Sequence, residues 1–259
     1  MPFTQLLLLK VPPLILAFII VGLAVAFATA GLLIVRRFVP HNRLKIHHDV
    51  ADPILGALGT IYAVVLAFVM VTVWIAFDKS SSNVRLEANY MSDIYRDAEA
   101  FAPDFRQKLG GLLRQYRKEV VDKEWPSMQK GEMNWEVEMT MRKIWDLYTT
   151  YQPKTTTEVA FFEESVSKLN LFRELRRQRL MDSRTGMPPL LWFVLLAGAF
   201  ATISFTFLFG MESLKAQIAM VVLLSVMISL ILFTIMSLDF PFTGSISVSS
   251  EPFKMVLLD

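Results

Sequence analysis

Residues 52–101 read DPILGALGTIYAVVLAFVMVTVWIAFDKSSSNVRLEANYMSDIYRDAEAF, and the rest of the chain is best understood from this stretch outward. Asp52-Pro53 predicts a helix start, because the Asp carboxylate accepts an orphan backbone N–H and Pro at the first helical position has none to lose. Ile54 to Phe77 carries no charge over 24 residues, enough to cross a hydrocarbon core that takes ~20. Between Gly59 and Pro103 there is neither glycine nor proline, so nothing forces a stop there. Past Asp78 the apolar positions thin out but keep helical spacing: Val84, Ala88, Met91, Tyr95, Ala98 and Phe101. The pattern predicts one helix of about 50 residues, roughly 75 Å long, that leaves a ~30 Å bilayer as a charged stalk. Lys79-Ser80-Ser81-Ser82-Asn83 is where a kink would fall.

On the N-terminal side, Leu14 to Val35 forms a first apolar run of 22 residues. It ends in Arg36-Arg37 without a small-residue cleavage site, which predicts a span and not a cleaved signal peptide. Gly22, Ala26 and Ala30 recur at four-residue spacing on it. A longer stripe on helix two runs through Gly56, Thr60, Ala63 and Ala67 towards Trp74 and Asp78. Small residues let helix backbones approach closely in lipid. Towards the C-terminus, Leu190 to Phe209 and Ile218 to Leu238 form helices three and four, joined by Gly210–Gln217 as a tight antiparallel hairpin. Four spans place both termini on the same side as the polar region between helices two and three.

That polar region, residues 78–187, holds 19 of the 26 Lys+Arg and 18 of the 24 Asp+Glu, so it is water-facing and nearly neutral. Phe105, Leu109, Leu112, Tyr116 and Val120 predict a helix stopping near Trp125-Pro126. Val137, Met141, Ile144, Tyr148 and Tyr151 predict another, ended by Pro153. Thr155 and Glu158 are spaced as a capping box for a last one, with Phe162, Val166 and Leu169 on its apolar face, ending near Thr185-Gly186. No alternating strand pattern of useful length occurs. The expected fold is therefore all-α: a polytopic membrane protein with four transmembrane helices and a helical bundle inserted between helices two and three. The expected divisions are 1–77 for the first two spans and their basic loop, 78–187 for the bundle, 188–238 for the hairpin and 239–259 for a turn-rich tail at the membrane face.

A net charge of +2 gives no reason to expect nucleic acid as a partner, and with no cysteine there is neither disulfide nor thiolate chemistry. Orientation is contested by the charges. Arg36, Arg37, Arg43 and Lys45 favour a cytoplasmic first loop, whereas Arg173, Arg176, Arg177, Arg179 and Arg184 crowd the bundle side of helix three. His41, His47, His48, Asp49 and Asp52 have metal-ligand chemistry, but a solvated interfacial loop is the expectation, so no metal or cofactor is predicted. Glu136 with Glu138 and Glu163-Glu164 read as solvated helix faces and not as paired catalytic acids. No nucleophile elbow, phosphate loop or zincin motif occurs, and an enzyme is not expected. The span interiors hold no acidic or basic side chain, which argues against a proton-coupled pump.

Several motifs together carry a resemblance. They are His48-Asp49-Val50-Ala51-Asp52, then Ile61 to Val69 with Trp74 and Phe77-Asp78, and Glu87-Ala88-Asn89. They continue with Glu124-Trp125-Pro126, Arg176-Arg177-Gln178-Arg179-Leu180, Pro188 with Leu191-Trp192, and Leu208-Phe209-Gly210. The tail adds Leu238-Asp239-Phe240-Pro241-Phe242-Thr243-Gly244, Val248 and Glu251-Pro252-Phe253. These resemble the bestrophin-like family of bacterial and plant membrane proteins over nearly the whole chain. Asp52 departs from the family's usual Gly. The resemblance implies the plan of bestrophins proper, which are oligomeric anion channels with four spans, a helical domain between spans two and three, and cytosolic termini. No match to the phenylalanine-lined bestrophin neck is present, so anion selectivity does not carry over.

Two functional expectations follow. One is a homo-oligomeric ion channel of the cell (inner) membrane, with anions one candidate for the ion it passes. In it helix two lines a narrow pore at Gly56, Thr60, Ala63, Ala67 and Trp74, with Thr72 and Tyr62 as further polar groups, and the bundle and termini face the cytoplasm. The other is a non-conducting scaffold or sensor whose bundle binds a partner. In either, the lipid bilayer is the first partner. Asp78, Glu87 and Asp93 are expected to meet Arg173, Arg176, Arg177 and Arg179 in a charge layer near the membrane face, with Glu87 paired to Arg176, Arg177 or Arg179. Asp239, Pro241, Phe242 and Gly244 are expected to shape a folded tail.

Overall fold

The computed structural model describes residues 3–39, 48–211 and 213–256. Among them the regular structure is helical throughout and no strand occurs. In chain order the helices are α1 (Phe3–Lys10), α2 (Pro13–Phe38), α3 (His48–Asp97), α4 (Pro103–Glu119), α5 (Trp125–Gln129), α6 (Trp135–Thr150), α7 (Thr156–Asp182), α8 (Pro189–Phe205), α9 (Leu214–Leu238) and α10 (Glu251–Met255). Four helices are long and apolar enough to cross a membrane: α2, α3, α8 with its 3-10 extension to Leu208, and α9.

The long helix differs from expectation at its start. It already includes His48, so Pro53 lies inside it. At least five helical residues precede Pro53, so its missing N–H falls beyond the leading four orphans and removes one intrahelical hydrogen bond. The serine run does not interrupt it. Ser80 donates its hydroxyl to both Ala76 O (3.0 Å) and Asp182 Oδ2 (2.8 Å), so its side chain is satisfied without opening the helix.

The chain forms two compact units, and it passes from one to the other within α3. The first comprises Met1–Leu9, Ala76–Thr185 and Phe240–Asp259. The opening residues thus group with the charged helices and not with the spans, a correction to the expected 1–77 division. The cause is local: Gln5, which is buried, donates to Ser183 O (3.2 Å) and to Thr243 Oγ1 (3.1 Å).

Within this unit Val84, Ala88, Met91, Ile94 and Ala98 of α3 join Leu109, Leu113 and Tyr116 of α4, Ile144 and Tyr148 of α6, and Leu169 and Phe172 of α7 in one apolar core. Ile94 and Leu113 take the interior places expected of Tyr95 and Leu112, each one position away around the helix. The capping box before α7 is present in shifted form. Thr155 accepts from Glu158 N–H at 3.1 Å, while the Glu158 carboxylate takes Lys154 N–H (2.8 Å) and the Tyr151 hydroxyl (3.0 Å). The tail packs into the same core through Phe242, Val248 and Phe253, and Trp125 Nε1 donates to Val248 O at 3.3 Å. Gly244 turns the chain there at φ +87°, a conformation that only glycine adopts without strain.

A second correction falls at Trp125-Pro126. The helix does not stop there but widens through one π-turn, Val120–Glu124, and continues as α5 to Gln129. Proline is tolerated because it occupies the first turn of α5.

The second unit comprises Lys10–Ile75 and Gly186–Asp239. Here α9 packs along α2, and α3 is pinned to α8 by Tyr62, whose hydroxyl donates to Leu195 O at 3.0 Å. Gly198 is what admits that ring: a Cβ at this position would lie 2.4 Å from Tyr62 Cδ2. Gly31 does the same for Phe207, at 2.4 Å. The hydroxyls of Thr29, Thr60, Thr72, Ser225 and Ser237 each donate to the carbonyl four residues back, which satisfies them without water.

Candidate functional site

The most concentrated chemistry lies inside the first unit. Phe172, Arg176 and Arg179 fall on one face of α7, because steps of four and three residues turn a helix by about 40° and −60°. That face is the buried one. On α3 Glu87 sits in the stripe of Val84, Ala88 and Met91 and is likewise fully buried. Glu124, at the end of the π-turn, is the third buried charge from a different element.

Arg179 lies at the centre. Its Nε donates to Glu87 Oε2 (2.7 Å), and its Nη2 donates to Glu87 Oε1 (3.0 Å) and to Glu124 Oε2 (2.8 Å). Its remaining Nη1 meets Met128 Sδ at 2.8 Å. The guanidinium carbon stands 5.0 Å from the Trp125 ring and 5.6 Å from the Phe253 ring, so α5 and the tail close over it. Arg176 forms a fork with Glu124, through Nη2 at 2.7 Å and Nε at 3.3 Å, and sends Nη1 outward to Glu138 at 2.5 Å. Tyr116 donates its hydroxyl to Glu87 Oε1 at 2.8 Å.

Two buried arginines therefore face two buried carboxylates, and every polar atom of the four finds a partner. Burial opposes the charged form of Arg179, yet Glu87 and Glu124 outweigh it and hold its pKa well above the ordinary value. For Arg176 too the neighbouring Tyr116 and Glu124 outweigh burial, and the pKa is raised. Burial, reinforced by Glu87, pushes the Tyr116 phenol up. Glu138 is opposed by its own partial burial, but the hydrogen bond and charge of Arg176 win and hold its carboxyl below the usual range. The two arginines stay charged across the physiological pH range, and the cluster ties α3, α4, the π-turn, α6 and α7 to one another.

The expected charge layer is thus distributed differently from its description in the sequence. Glu87 and Arg179 come together, while Arg176 turns to Glu124 and Glu138. Arg177 lies on the opposite, exposed face of α7 and pairs with Glu174 at 2.8 Å. Arg173 stacks over the Trp145 ring at 4.7 Å. Asp78 is exposed and Asp93 half-buried, neither placed with those arginines. Glu124 was missed because the widened turn that places it has no signature in the apolar spacing.

In the second unit, Tyr62, Leu66, Val69 and Val73 are the buried face of α3. Gly56, Thr60, Ala63 and Ala67 are exposed roughly 120° around the helix from it, and Trp74 is 55% exposed. Gly22, Ala26 and Ala30 of α2 are exposed too, and no atom lies within 4 Å of a Cβ built at Gly22 or Gly56. Asp239 caps α9 and accepts Met187 N–H (2.7 Å) and Trp192 Nε1 (3.3 Å).

Among the described residues no group of His, Asp or Glu has the arrangement of a metal site. His41 and His47 lie outside those residues, as do the side chains of His48 and Asp49. Glu136 pairs with Lys123 and Glu164 with Lys168, so these acids serve ion pairs.

Four apolar helices of spanning length and an all-helical fold define a multi-pass membrane protein. The chain belongs to the bestrophin-like family: the model of the bestrophin-like domain matches residues 22–253. Searches of curated proteins and of solved structures returned no match.

Proposed function

We propose that the protein is a homo-oligomeric ion channel of the cell membrane, with α3 lining the pore. The supporting observation is the double stripe of small residues on α2 and α3. A single chain covers Tyr62, Leu66, Val69 and Val73 but leaves Gly22, Ala26, Ala30, Gly56, Thr60, Ala63 and Ala67 open. Leu-sized residues are the usual lipid-facing choice, whereas Gly and Ala suit close backbone approach. Membership of the bestrophin-like family adds the precedent of anion channels, and inorganic ions are the expected cargo. The absence of charge inside the spans suits a pore lined by backbone and hydroxyls better than a proton relay.

Ion flux from liposomes holding the purified chain, with native mass measured in detergent, tests this. Wild-type protein should run as an oligomer and conduct, and Ala63→Leu with Ala67→Leu should disrupt both. A monomeric wild type removes the proposal, and a non-conducting oligomer favours the scaffold reading. The cytoplasmic placement of the charged unit rests on the family plan. It is tested by single cysteines at Trp135 and Ser245, since the chain has none of its own. Labelling of both by an impermeant maleimide in intact cells would reverse the orientation.

A further inference from the structure

Beside the buried cluster lies a cavity of about 440 Å³, within the size range of small-ligand pockets. Its lining includes Arg173, Glu174, Arg176 and Arg177 of α7, Glu138 of α6, and the apolar Met141 and Leu180. Arg176 is the built part of this wall. It is 4% exposed, its Nε and Nη2 are locked on Glu124, and only Nη1 points outward, where Glu138 meets it. Glu138 is also the one acid of the cluster that reaches solvent, with its side chain 25% exposed against 0% for Glu87 and Glu124. Arg173 makes no ion pair among the described residues and is held over Trp145 at 4.7 Å. The cavity thus offers one fixed inward-anchored guanidinium, a second cation in no ion pair among the described residues, and two carboxylates already held by arginines, Glu138 on Arg176 and Glu174 on Arg177.

We propose that this cavity binds a small organic anion with a carboxylate or phosphate group, which takes the place of Glu138 on Arg176. One oxygen of either group can take the single Arg176 nitrogen that points outward, Nη1, and a second oxygen remains for Arg173, which a spherical anion cannot offer. Arg173 flanks the bound group, Arg177 stays on Glu174, and Met141 and Leu180 take the apolar body of the ligand. Glu138, freed, keeps Arg142 one turn along α6, whose Nε lies 3.7 Å from it. The site belongs to the water-facing helices, so it does not depend on the channel reading.

The test is calorimetric titration of the full-length protein in detergent with succinate, inorganic phosphate and, at matched ionic strength, chloride. Saturable binding is expected for succinate, for phosphate or for both, and the stronger of the two identifies the acid group; chloride should give none. Glu138→Gln keeps a hydrogen-bond acceptor on Arg176 but removes the competing charge. It should tighten binding about fivefold, and Arg173→Gln should weaken it by about as much, the scale of one partly exposed charge pair. A purely structural role for Glu138 predicts weaker binding or none in Glu138→Gln. No saturable binding in either wild type or Glu138→Gln overturns the proposal. So does chloride binding equally well, or binding that Arg173→Gln leaves unchanged. Should Arg173→Gln not fold, Arg173→Met, which keeps an apolar stem over Trp145 and removes the charge, is the variant read in its place.

Discussion

Stripping the charge from Glu87 probes the buried cluster at its centre. Glu87→Gln preserves the shape of the side chain and one carbonyl oxygen, but it leaves Arg179 facing a neutral group. Arg179 is fully buried, and two of its hydrogen bonds, at 2.7 and 3.0 Å, end on Glu87. After the change two buried guanidinium groups share Glu124 and the half-exposed Glu138. Removing one partner of a buried pair costs about 3–5 kcal/mol, because the other charge is stranded away from water. In a chain of this size 1 kcal/mol moves Tm by about 2–4 °C, so a loss on the order of 6–20 °C is expected. Thermal melting of the detergent-solubilised chain, followed by tryptophan fluorescence, reads it directly, since Trp125 stacks against Arg179. The decisive comparison is a double-mutant cycle. Glu87→Gln with Arg179→Gln should cost about 1–3 kcal/mol less than the two singles together. Glu87→Gln with Arg177→Gln should be additive within about 0.5 kcal/mol. Additivity with both arginines would refute the pairing.

Three further outcomes are expected. Gly198→Ala should destabilise the membrane unit or weaken its expression, because the new methyl would lie 2.4 Å from the Tyr62 ring, while Tyr62→Phe, losing one hydrogen bond, should cost only about 1 kcal/mol. A wild-type melting temperature for Gly198→Ala would show that Tyr62 is free to move. Phe253→Ala should cost about 3–5 kcal/mol by emptying the space over Arg179, whereas Met255→Ala, at a 70% exposed position, should be silent. Equal effects would deny the tail its place in the core. The pH dependence should carry opposite signs at two acids. Arg176 lowers Glu138, so that contribution is present above the unfolded carboxyl pKa and lost as pH falls through the folded one. Burial raises Asp182, so its ionisation costs stability as pH rises through the folded value. Melting curves should therefore show Glu138→Gln flattening the acid limb and Asp182→Asn gaining stability at neutral pH.

Much of this was open to reading from residue order. The four spans follow from uncharged runs, and the continuity of α3 follows from the lack of glycine and proline after Gly59. That Glu87 faces an arginine of α7 was legible as well, but which arginine was not. A signal existed: Arg176 and Arg179 continue the face of Leu169 and Phe172, while Arg173 and Arg177 point roughly 100° and 140° away. Charge suggested an outer surface, and helical phase would have corrected it. Glu124 had no such signal. From Tyr116 a regular helix puts Trp125 at about 180°, on the far side, so the apolar spacing breaks there and suggests a stop. The helix start was misplaced for a related reason, since Asp52-Pro53 has the chemistry of a cap wherever it falls.

The widened turn has a consequence for how this chain can change in length. Val120–Glu124 accommodates one residue beyond what a regular helix would hold, and so brings Trp125 and Met128 back to the side of Tyr116. Deleting the exposed Asp122 would leave an ordinary α-helix whose phase at Trp125 is nearly what it is now, so the core would keep its neighbours. The same deletion in α6 or α7 would rotate everything beyond it by about 100° and expel the buried arginines or aromatics. A chain one residue shorter at this place should still fold and still melt cooperatively, making this turn a point where family members can differ in length and share one interior.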